Sequence, residues 1–146
     1  MNLVVDTNIV FSTLLNPKSP IGEIMMNIQD DFTFFAPELL KDELKKYSSK
    51  IASYSKLDQI SLSKIETLVL NNLKFVPENK ISIQSWTKAF ELAMDVDEDD
   101  TPFIALSIEL NAKFWTGDKA LIKGLAKKGV DITVTTSDLK DILNNR

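Results

Sequence analysis

Two chemically important residue types are missing from this chain of 146 residues, which contains no cysteine and no histidine. Without cysteine there is no disulfide, no thiolate metal ligand and no thiol nucleophile. Without histidine, serine–histidine catalysis, histidine-bound zinc and imidazole acid–base chemistry are excluded. Any metal ion that binds here must therefore be a hard cation held by oxygen, such as Mg²⁺ or Mn²⁺.

Long apolar runs and excess positive charge are also missing. No run approaches the roughly 20 residues of a membrane span, and the N-terminal MNLVVDTN has neither a basic region nor a signal-peptide core. We therefore expect a cytoplasmic protein with no membrane partner. The net charge of −4 and the pI of about 4.9 argue against strong nonspecific binding of nucleic acid, because phosphate affinity comes from lysine and arginine. An enzyme that contacts phosphate through metal ions is still compatible with this charge.

Short β-like runs alternate with helical segments along the whole chain. Strands are predicted at 2–6, 32–36, within 73–83, at 113–116 and at 130–135. Helices are predicted at 7–15, 20–29, 37–50, 63–72, 84–94, 101–110, 119–128 and from Ser137 onward. No repeat or Pro/Gly-rich linker divides the chain, so we expect one domain over residues 1–146. The alternation predicts an α/β fold, with a central parallel sheet of about five strands and helices on both faces.

The predicted fold brings distant acidic residues to one edge of the sheet. Asp6 ends the first strand, and Asp118 follows the fourth in WTGD. Asp100 closes the acidic run DVDEDD and begins a helix that returns antiparallel to the sheet. Ligands of open parallel sheets bind at the carboxyl ends of the strands, and all three acids are expected there.

A fourth acid, Glu43, lies on a helix that follows the second strand. Leu40, Leu44, Tyr47 and Ile51 recur at helical spacing and define its inward stripe, and Glu43 falls on or beside that stripe. A carboxylate directed inward is costly without a cation partner. Its early position in the helix again places it near the carboxyl edge.

Each of these acids also has an ordinary structural explanation. Asp6 and Asp118 are natural helix caps, as is Asp99 or Asp100, and Glu43 can pair with Lys46 on the surface. The other acids of 95–99 fit a solvated loop. Four acids directed to one edge are harder to explain as independent caps, because like charges so close repel unless they are protonated or neutralised by metal.

Taken in order, VVDTNI, the helix LLKDELKKY, DDTPFIALSIEL and FWTGDKAL resemble the PIN-domain family of ribonucleases. The resemblance covers essentially the whole chain and is strongest to single-domain prokaryotic members, which include VapC-like toxins of toxin–antitoxin pairs. It implies a PIN-like α/β/α sandwich with an acidic site for Mg²⁺ or Mn²⁺. The catalytic and metal-binding acids of the family match Asp6, Glu43, Asp100 and Asp118.

The resemblance also implies auxiliary residues, a reaction and partners. Asn8 and Thr116 match polar positions that often accompany the acids, and Asp97 and Asp99 are candidate helpers. The implied reaction is hydrolysis of RNA phosphodiester bonds to products with a 5′-phosphate and a 3′-hydroxyl. The implied partners are an RNA substrate, an antitoxin protein bound among the helices of residues 19–72, and a second copy in a homodimer.

A basic ridge is a further candidate for RNA contact. Lys119, Lys123 and Lys127 recur every four residues on the helix that begins beside Asp118. They fit a guide for the RNA backbone, and they fit an ordinary solvated helix face equally well.

Other functions compete with a nuclease. A phosphatase of the haloacid-dehalogenase type requires a second aspartate two residues after the first, where this chain has Asn8. A phosphoacceptor receiver domain requires a different spacing of acids and lysine. The strongest alternative is a catalytically weak PIN-like domain that acts as a protein- or RNA-binding module.

Overall fold

Residues 1–27 and 31–145 are described by the computed structural model. Within these ranges, no helix combines the length and apolar character that a membrane crossing requires. The strands are β1 (Asn2–Val5), β2 (Thr33–Pro37), β3 (Leu73–Val76), β4 (Lys113–Trp115) and β5 (Thr133–Val134).

All strand pairs are parallel, and the sheet order is β3-β2-β1-β4-β5. In the central strand β1, Val4 lies opposite Phe35 of β2 and Phe114 of β4. The last three residues of β1, Leu3 to Val5, are completely buried, as expected for a strand covered on both faces. The order changes direction between β1 and β4, where open α/β sheets bind ligands at their carboxyl edge.

Helices cover both faces of this sheet, which confirms the predicted three-layer α/β/α architecture. On one face α7 packs over β1, β2 and β4 and is itself covered by α6, whereas α1 packs against α2, α3, α4 and α5. The helices are α1 (Thr7–Leu15), α2 (Pro20–Asn27), α3 (Leu39–Lys46), α4 (Ser48–Tyr54), α5 (Gln59–Asn72), α6 (Ile83–Ala93), α7 (Thr101–Leu110), α8 (Lys119–Lys127) and α9 (Thr136–Asn144).

Two helices, α1 and α7, have the predicted bounds because local signals fix both of their ends. Asp6 caps α1 through the backbone N–H of Asn8, and the Asn16-Pro17 pair follows its last residue. In α7, Pro102 stands in the first turn and Asn111 ends the helix at a positive φ of 49°. Residues 103–107 of α7 are all buried, so the first turn is anchored under the sheet edge.

Elsewhere several predicted bounds were wrong. The helix predicted at 37–50 is two helices that meet at Tyr47. The helix predicted from Ser63 begins at Gln59, because Asp58 caps it by accepting from Ser61 N–H. The last helix is capped by Thr135 rather than Ser137, and this cap shortens β5. The predicted end of the second helix at Gln29 lies outside the described residues.

Candidate metal-binding active site

The site begins with Asp6 and Thr116, which follow paired strands. Val5 of β1 lies opposite Trp115 of β4, so the next residue of each strand meets its counterpart at the carboxyl edge. The Thr116 hydroxyl donates to Asp6 Oδ2 at 2.7 Å, and Thr116 is completely buried. Asp6 Oδ1 accepts from Asn8 N–H at 3.3 Å. Asp6 therefore caps α1 and points a fixed carboxylate into the edge.

Asp118 is tied to the same hydroxyl from the other side. Its backbone N–H donates to Thr116 Oγ1 at 3.1 Å, and its Oδ1 accepts from Leu121 N–H at 3.1 Å. Asp118 is thus the N-cap of α8. The cap occupies one carboxylate oxygen, and Thr116 holds both aspartates in one network.

Asp100 differs from Asp6 and Asp118 because its side chain caps no helix. It stands immediately before α7 but makes no side-chain hydrogen bond to the helix. Asp100 is 9% exposed, and its Oδ2 atom is buried with no hydrogen-bond partner. Leaving a buried carboxylate oxygen without a partner is costly, so this position has a polar requirement that the described protein atoms do not meet.

The oxygens around Asp100 form a group that fits a divalent cation. One carboxylate oxygen each from Asp97, Asp100 and Asp118 lies within 4.8 Å of the other two. Mg²⁺ binds carboxylate oxygens at about 2.0–2.1 Å, so a small movement of these side chains is enough for the oxygens to share one ion. The donor set is all oxygen, which matches Mg²⁺ or Mn²⁺, and the unpartnered oxygen of Asp100 is the atom that such an ion would satisfy.

Glu43 approaches the site from α3. Leu40 and Leu44 on either side of it are buried, as the predicted inward stripe requires, but Tyr47 of that stripe is 38% exposed and ends the helix. Glu43 itself is half-buried. The beginning of α3 is capped by a residue that is distant in sequence. Glu78 Oε1 accepts from Leu39 N–H at 2.6 Å, whereas the adjacent Glu38 provides no side-chain cap. The contact of Glu78 with the first turn of the helix that carries Glu43 was not predicted from the sequence.

The electrostatics of the site disfavour negative charge in the metal-free protein. Burial, together with the charges of Asp6, Asp97, Asp118 and Asp99, raises the pKa of Asp100 to about 7. Burial also raises the pKa of Asp6, although its bonds from Thr116 and Asn8 act in the opposite direction.

Glu43 has a raised pKa for the same main reason. Burial is the largest cause, and the charges of Asp6 and Asp99 add to it. The nearby Thr7 hydroxyl favours the charged form, although its Oγ1 is buried and makes no hydrogen bond of normal geometry. The charged forms of these three acids, on separate elements, are thus disfavoured mainly by burial and further by one another's charge, which favours protonation or a cation.

The acidic loop is fastened to α8 and α6 by groups that do not belong to the acid cluster. Lys128 Nζ forms an ion pair with Asp95 and donates to Leu92 O at 2.9 Å. Next to Asp95, Val96 packs so closely on Gly124 of α8 that a Cβ there would lie 2.7 Å from Val96 Cγ2. These contacts fix the direction in which the loop presents Asp97 and Asp100.

Comparison with known proteins agrees with this geometry. The sequence model of the PIN domain matches residues 4–139. The chain belongs to the PIN-domain family. No curated protein matches it. A solved structure with the same fold is a chain of the VapBC2 complex from Rickettsia felis, which is bound to a DNA fragment from the promoter of the pair. The TM-score is 0.65 and the sequence identity is 17%, and the alignment covers 92% of this chain and 98% of that one.

The predicted acids of this PIN domain fall into two groups, those within the close carboxylate group and those linked to it from outside. Asp100 and Asp118 lie in the close carboxylate group with Asp97, which the sequence suggested only as a helper. Asp6 is joined to Asp118 through Thr116, and Glu43 is linked to Asp6 by charge. Asp97 stays a candidate ligand, because its own cap, Oδ1 accepting from Asp99 N–H, fits a solvated loop equally well.

The remaining predicted residues of the PIN domain lie at the periphery. Asn8 is exposed and lines a groove together with Glu43, and Asp99 is exposed near Glu43. Lys119, Lys123 and Lys127 are exposed on α8, and in the described parts of the chain none of them forms an ion pair. Their role as an RNA guide stays a prediction.

Proposed function

We propose that this PIN domain is a metal-dependent endoribonuclease that hydrolyses RNA phosphodiester bonds. The observation that carries the proposal is the buried, unpartnered oxygen of Asp100 within a group of three carboxylates. Members of the PIN-domain family are generally nucleases. The charge of the chain is compatible with this activity, since a cation at the acidic edge would separate the carboxylates from the phosphate.

The proposed role of each site residue follows from its position. Asp97, Asp100 and Asp118 would hold Mg²⁺ or Mn²⁺ directly, and Asp6 and Glu43 would complete the set directly or through water. A bound ion of this kind lowers the pKa of a water molecule and neutralises charge on the leaving oxygen. Thr116 orients Asp6 and Asp118 from behind, as supporting hydrogen bonds do around metal ligands.

Cleavage of a mixed RNA substrate tests the proposal. The wild-type protein is assayed with Mg²⁺, with Mn²⁺ and with EDTA, beside Asp6→Asn, Asp100→Asn and the control Asp95→Asn. We expect metal-dependent cleavage that is lost in the first two variants and kept in the control, whose carboxylate pairs with Lys128. A folded wild-type protein that cleaves no RNA with either metal would contradict the proposal and favour a binding module.

We further propose that the nuclease is the toxin of a toxin–antitoxin pair, supported by its fold likeness to a chain of VapBC2. Expression of the wild-type chain should then arrest growth, whereas Asp100→Asn should not. A small protein encoded beside this chain should relieve the arrest and bind the chain. Normal growth at an expression level that gives measurable ribonuclease activity would favour RNA processing instead.

A further inference from the structure

A groove leads away from the acidic site between α1, α3 and α4. Asn8 and Glu43 line its end at the site, and Tyr47, Lys50 and Tyr54 line it further out. Its volume is about 360 Å³, which is within the range of small-molecule sites. We call it the tyrosine groove. It continues past the site, because a second groove lined by Glu43, Tyr47, Lys46 and Asp99 adjoins it.

The tyrosine groove carries aromatic surface of the kind that stacks on bases. Tyr47 is 38% exposed, and its ring is fixed edge-on against Phe11 at 5.6 Å between centroids. Tyr54, the last residue of α4, is 69% exposed. An exposed aromatic ring is a sequence-tolerant platform for an unpaired base.

Cations stand beside these rings although the chain as a whole is acidic. Lys46 Nζ lies 5.4 Å from the centroid of the Tyr47 ring and lines the adjoining groove. Lys50 lines the tyrosine groove itself. Neither lysine forms an ion pair in the described parts of the chain. Positive charge and stacking surface together suit a single strand of nucleic acid.

We propose that the tyrosine groove binds single-stranded RNA next to the bond that is cleaved, with a base stacked on Tyr54 and a backbone phosphate at Lys50. The proposal rests on the proposed nuclease function, because Asn8 and Glu43 make the groove continuous with the acidic site. It selects an unpaired strand, since bases held in a duplex do not present a free face to stack on a protein ring.

Binding is tested separately from cleavage. The probe is a fluorescently labelled single-stranded RNA of about 12 nucleotides, and anisotropy is measured in the Asp6→Asn background, in which we expect no cleavage. Tyr54→Ala should weaken binding by about 5- to 150-fold. Tyr54→Phe, which keeps the ring, should bind like its parent. Leu68→Ala is the control, since Leu68 is an exposed apolar residue on α5 outside the groove.

Salt dependence tests the lysine. Removing one phosphate contact from a single-stranded complex should reduce the slope of log K against log salt by about 0.7. We expect this reduction for Lys50→Gln but not for Lys64→Gln, which changes an exposed lysine on α5. When Asp6 is intact, Tyr54→Ala should raise KM and leave kcat unchanged. The reason is that a base on Tyr54 lies beside the reacting group and is bound equally well in the ground state and in the transition state.

The outcomes separate this proposal from the proposed function. Metal-dependent cleavage together with unchanged RNA binding by Tyr54→Ala would overturn the groove assignment and leave the nuclease standing. Ring-dependent binding without cleavage would support the groove and contradict the nuclease. A third outcome is that Tyr54→Ala leaves RNA binding unaffected but changes the molar mass that light scattering measures for the protein. This outcome would overturn the proposal and identify the groove as an interface between protein chains.

Discussion

Asp95 and Asp100 belong to the same acidic run, but their surroundings are opposite. Asp95 is exposed, and its bond from Lys128 lowers the pKa of its carboxyl group. Asp100 is buried without such a partner, and burial and neighbouring acids raise its pKa to about 7. Asp95 therefore has a cationic partner in the chain, whereas the buried oxygen of Asp100 has no hydrogen-bond partner.

The same contrast separates two glutamates. Glu109 accepts from Ser82 N–H and from the Ser85 hydroxyl, and these bonds lower the pKa of its carboxyl group. Burial raises the pKa of Glu43. The acids that fasten the fold have hydrogen-bond donors, whereas Asp100 at the carboxyl edge has a buried oxygen without one. A divalent cation would supply what the edge lacks, and the following changes break or sharpen this contrast.

The largest effect is expected from Asp100→Asn. Metal-dependent cleavage should fall at least about 100-fold, since substitutions that only support metal ligands already cost 10- to 100-fold. The metal-free variant should nevertheless be more stable than wild type at pH 8, because it loses a buried charge without a partner. Cleavage kinetics and urea unfolding in EDTA measure the two effects. A variant that keeps its activity would remove Asp100 from the site.

The second prediction concerns pH and the metal-free protein. The pKa of Asp100 is about 7 in the folded chain, against an ordinary value of 3.8. Between these values the folded chain holds a proton that the unfolded chain has lost, so the free energy of unfolding decreases as pH rises. The decrease contributed by Asp100 is at most about 4 kcal/mol.

Urea unfolding in EDTA at pH 5 and pH 8 measures the part of this loss of stability that occurs above pH 5. The raised pKa values of Asp6 and Glu43 act in the same direction, so Asp100→Asn should reduce the pH dependence without removing it. Excess Mg²⁺ should restore stability at pH 8. Metal-free protein that is equally stable at both pH values would contradict the electrostatic account.

A smaller effect is expected from Thr116→Val, which keeps the shape of a buried side chain and removes its hydroxyl. Asp6 Oδ2 loses its donor and the backbone N–H of Asp118 loses its acceptor. We expect about 1–3 kcal/mol less stability and about 10- to 100-fold weaker Mn²⁺ binding. Thr116→Ser, which keeps the hydroxyl, is the matched control and should bind Mn²⁺ nearly as wild type does.

The smallest effect is expected from Lys128→Met, which removes the partner of Asp95, the acid that fastens the loop. Asp95 loses its cation and Leu92 O loses a donor. Because the pair is partly exposed, Tm should fall by no more than about 4 °C, and cleavage should change less than in any site variant. A loss of cleavage as large as that of Asp100→Asn would show that the fastening of the loop, rather than its acids, governs the site.

Sequence patterns predicted the elements whose ends are fixed by adjacent residues. Both α1 and α7 begin and end where capping and turn residues indicated. The break at Tyr47 was not predictable in this way, because the inward stripe of Leu40, Leu44 and Ile51 continues across it. The start of α5 was missed because Asp58 caps from outside the apolar pattern.

The candidate site was predictable where it follows from strand order. Asp6 and Thr116 meet because β1 and β4 pair in register, and a parallel sheet dictates that edge. The places of Asp97, Glu78 and Lys128 depend on contacts across the fold: Asp97 with Asp118, Glu78 with Leu39, and Lys128 with Asp95. No local spacing encodes such contacts.

The most direct test of the central claim is the calorimetric titration of Mn²⁺ into the wild-type protein, Asp100→Asn and Asp95→Asn. If the carboxyl edge is a metal site, wild type and Asp95→Asn bind with similar affinity, and Asp100→Asn binds at least about tenfold more weakly. Equal binding by all three proteins, or no binding by the wild type, would contradict the account.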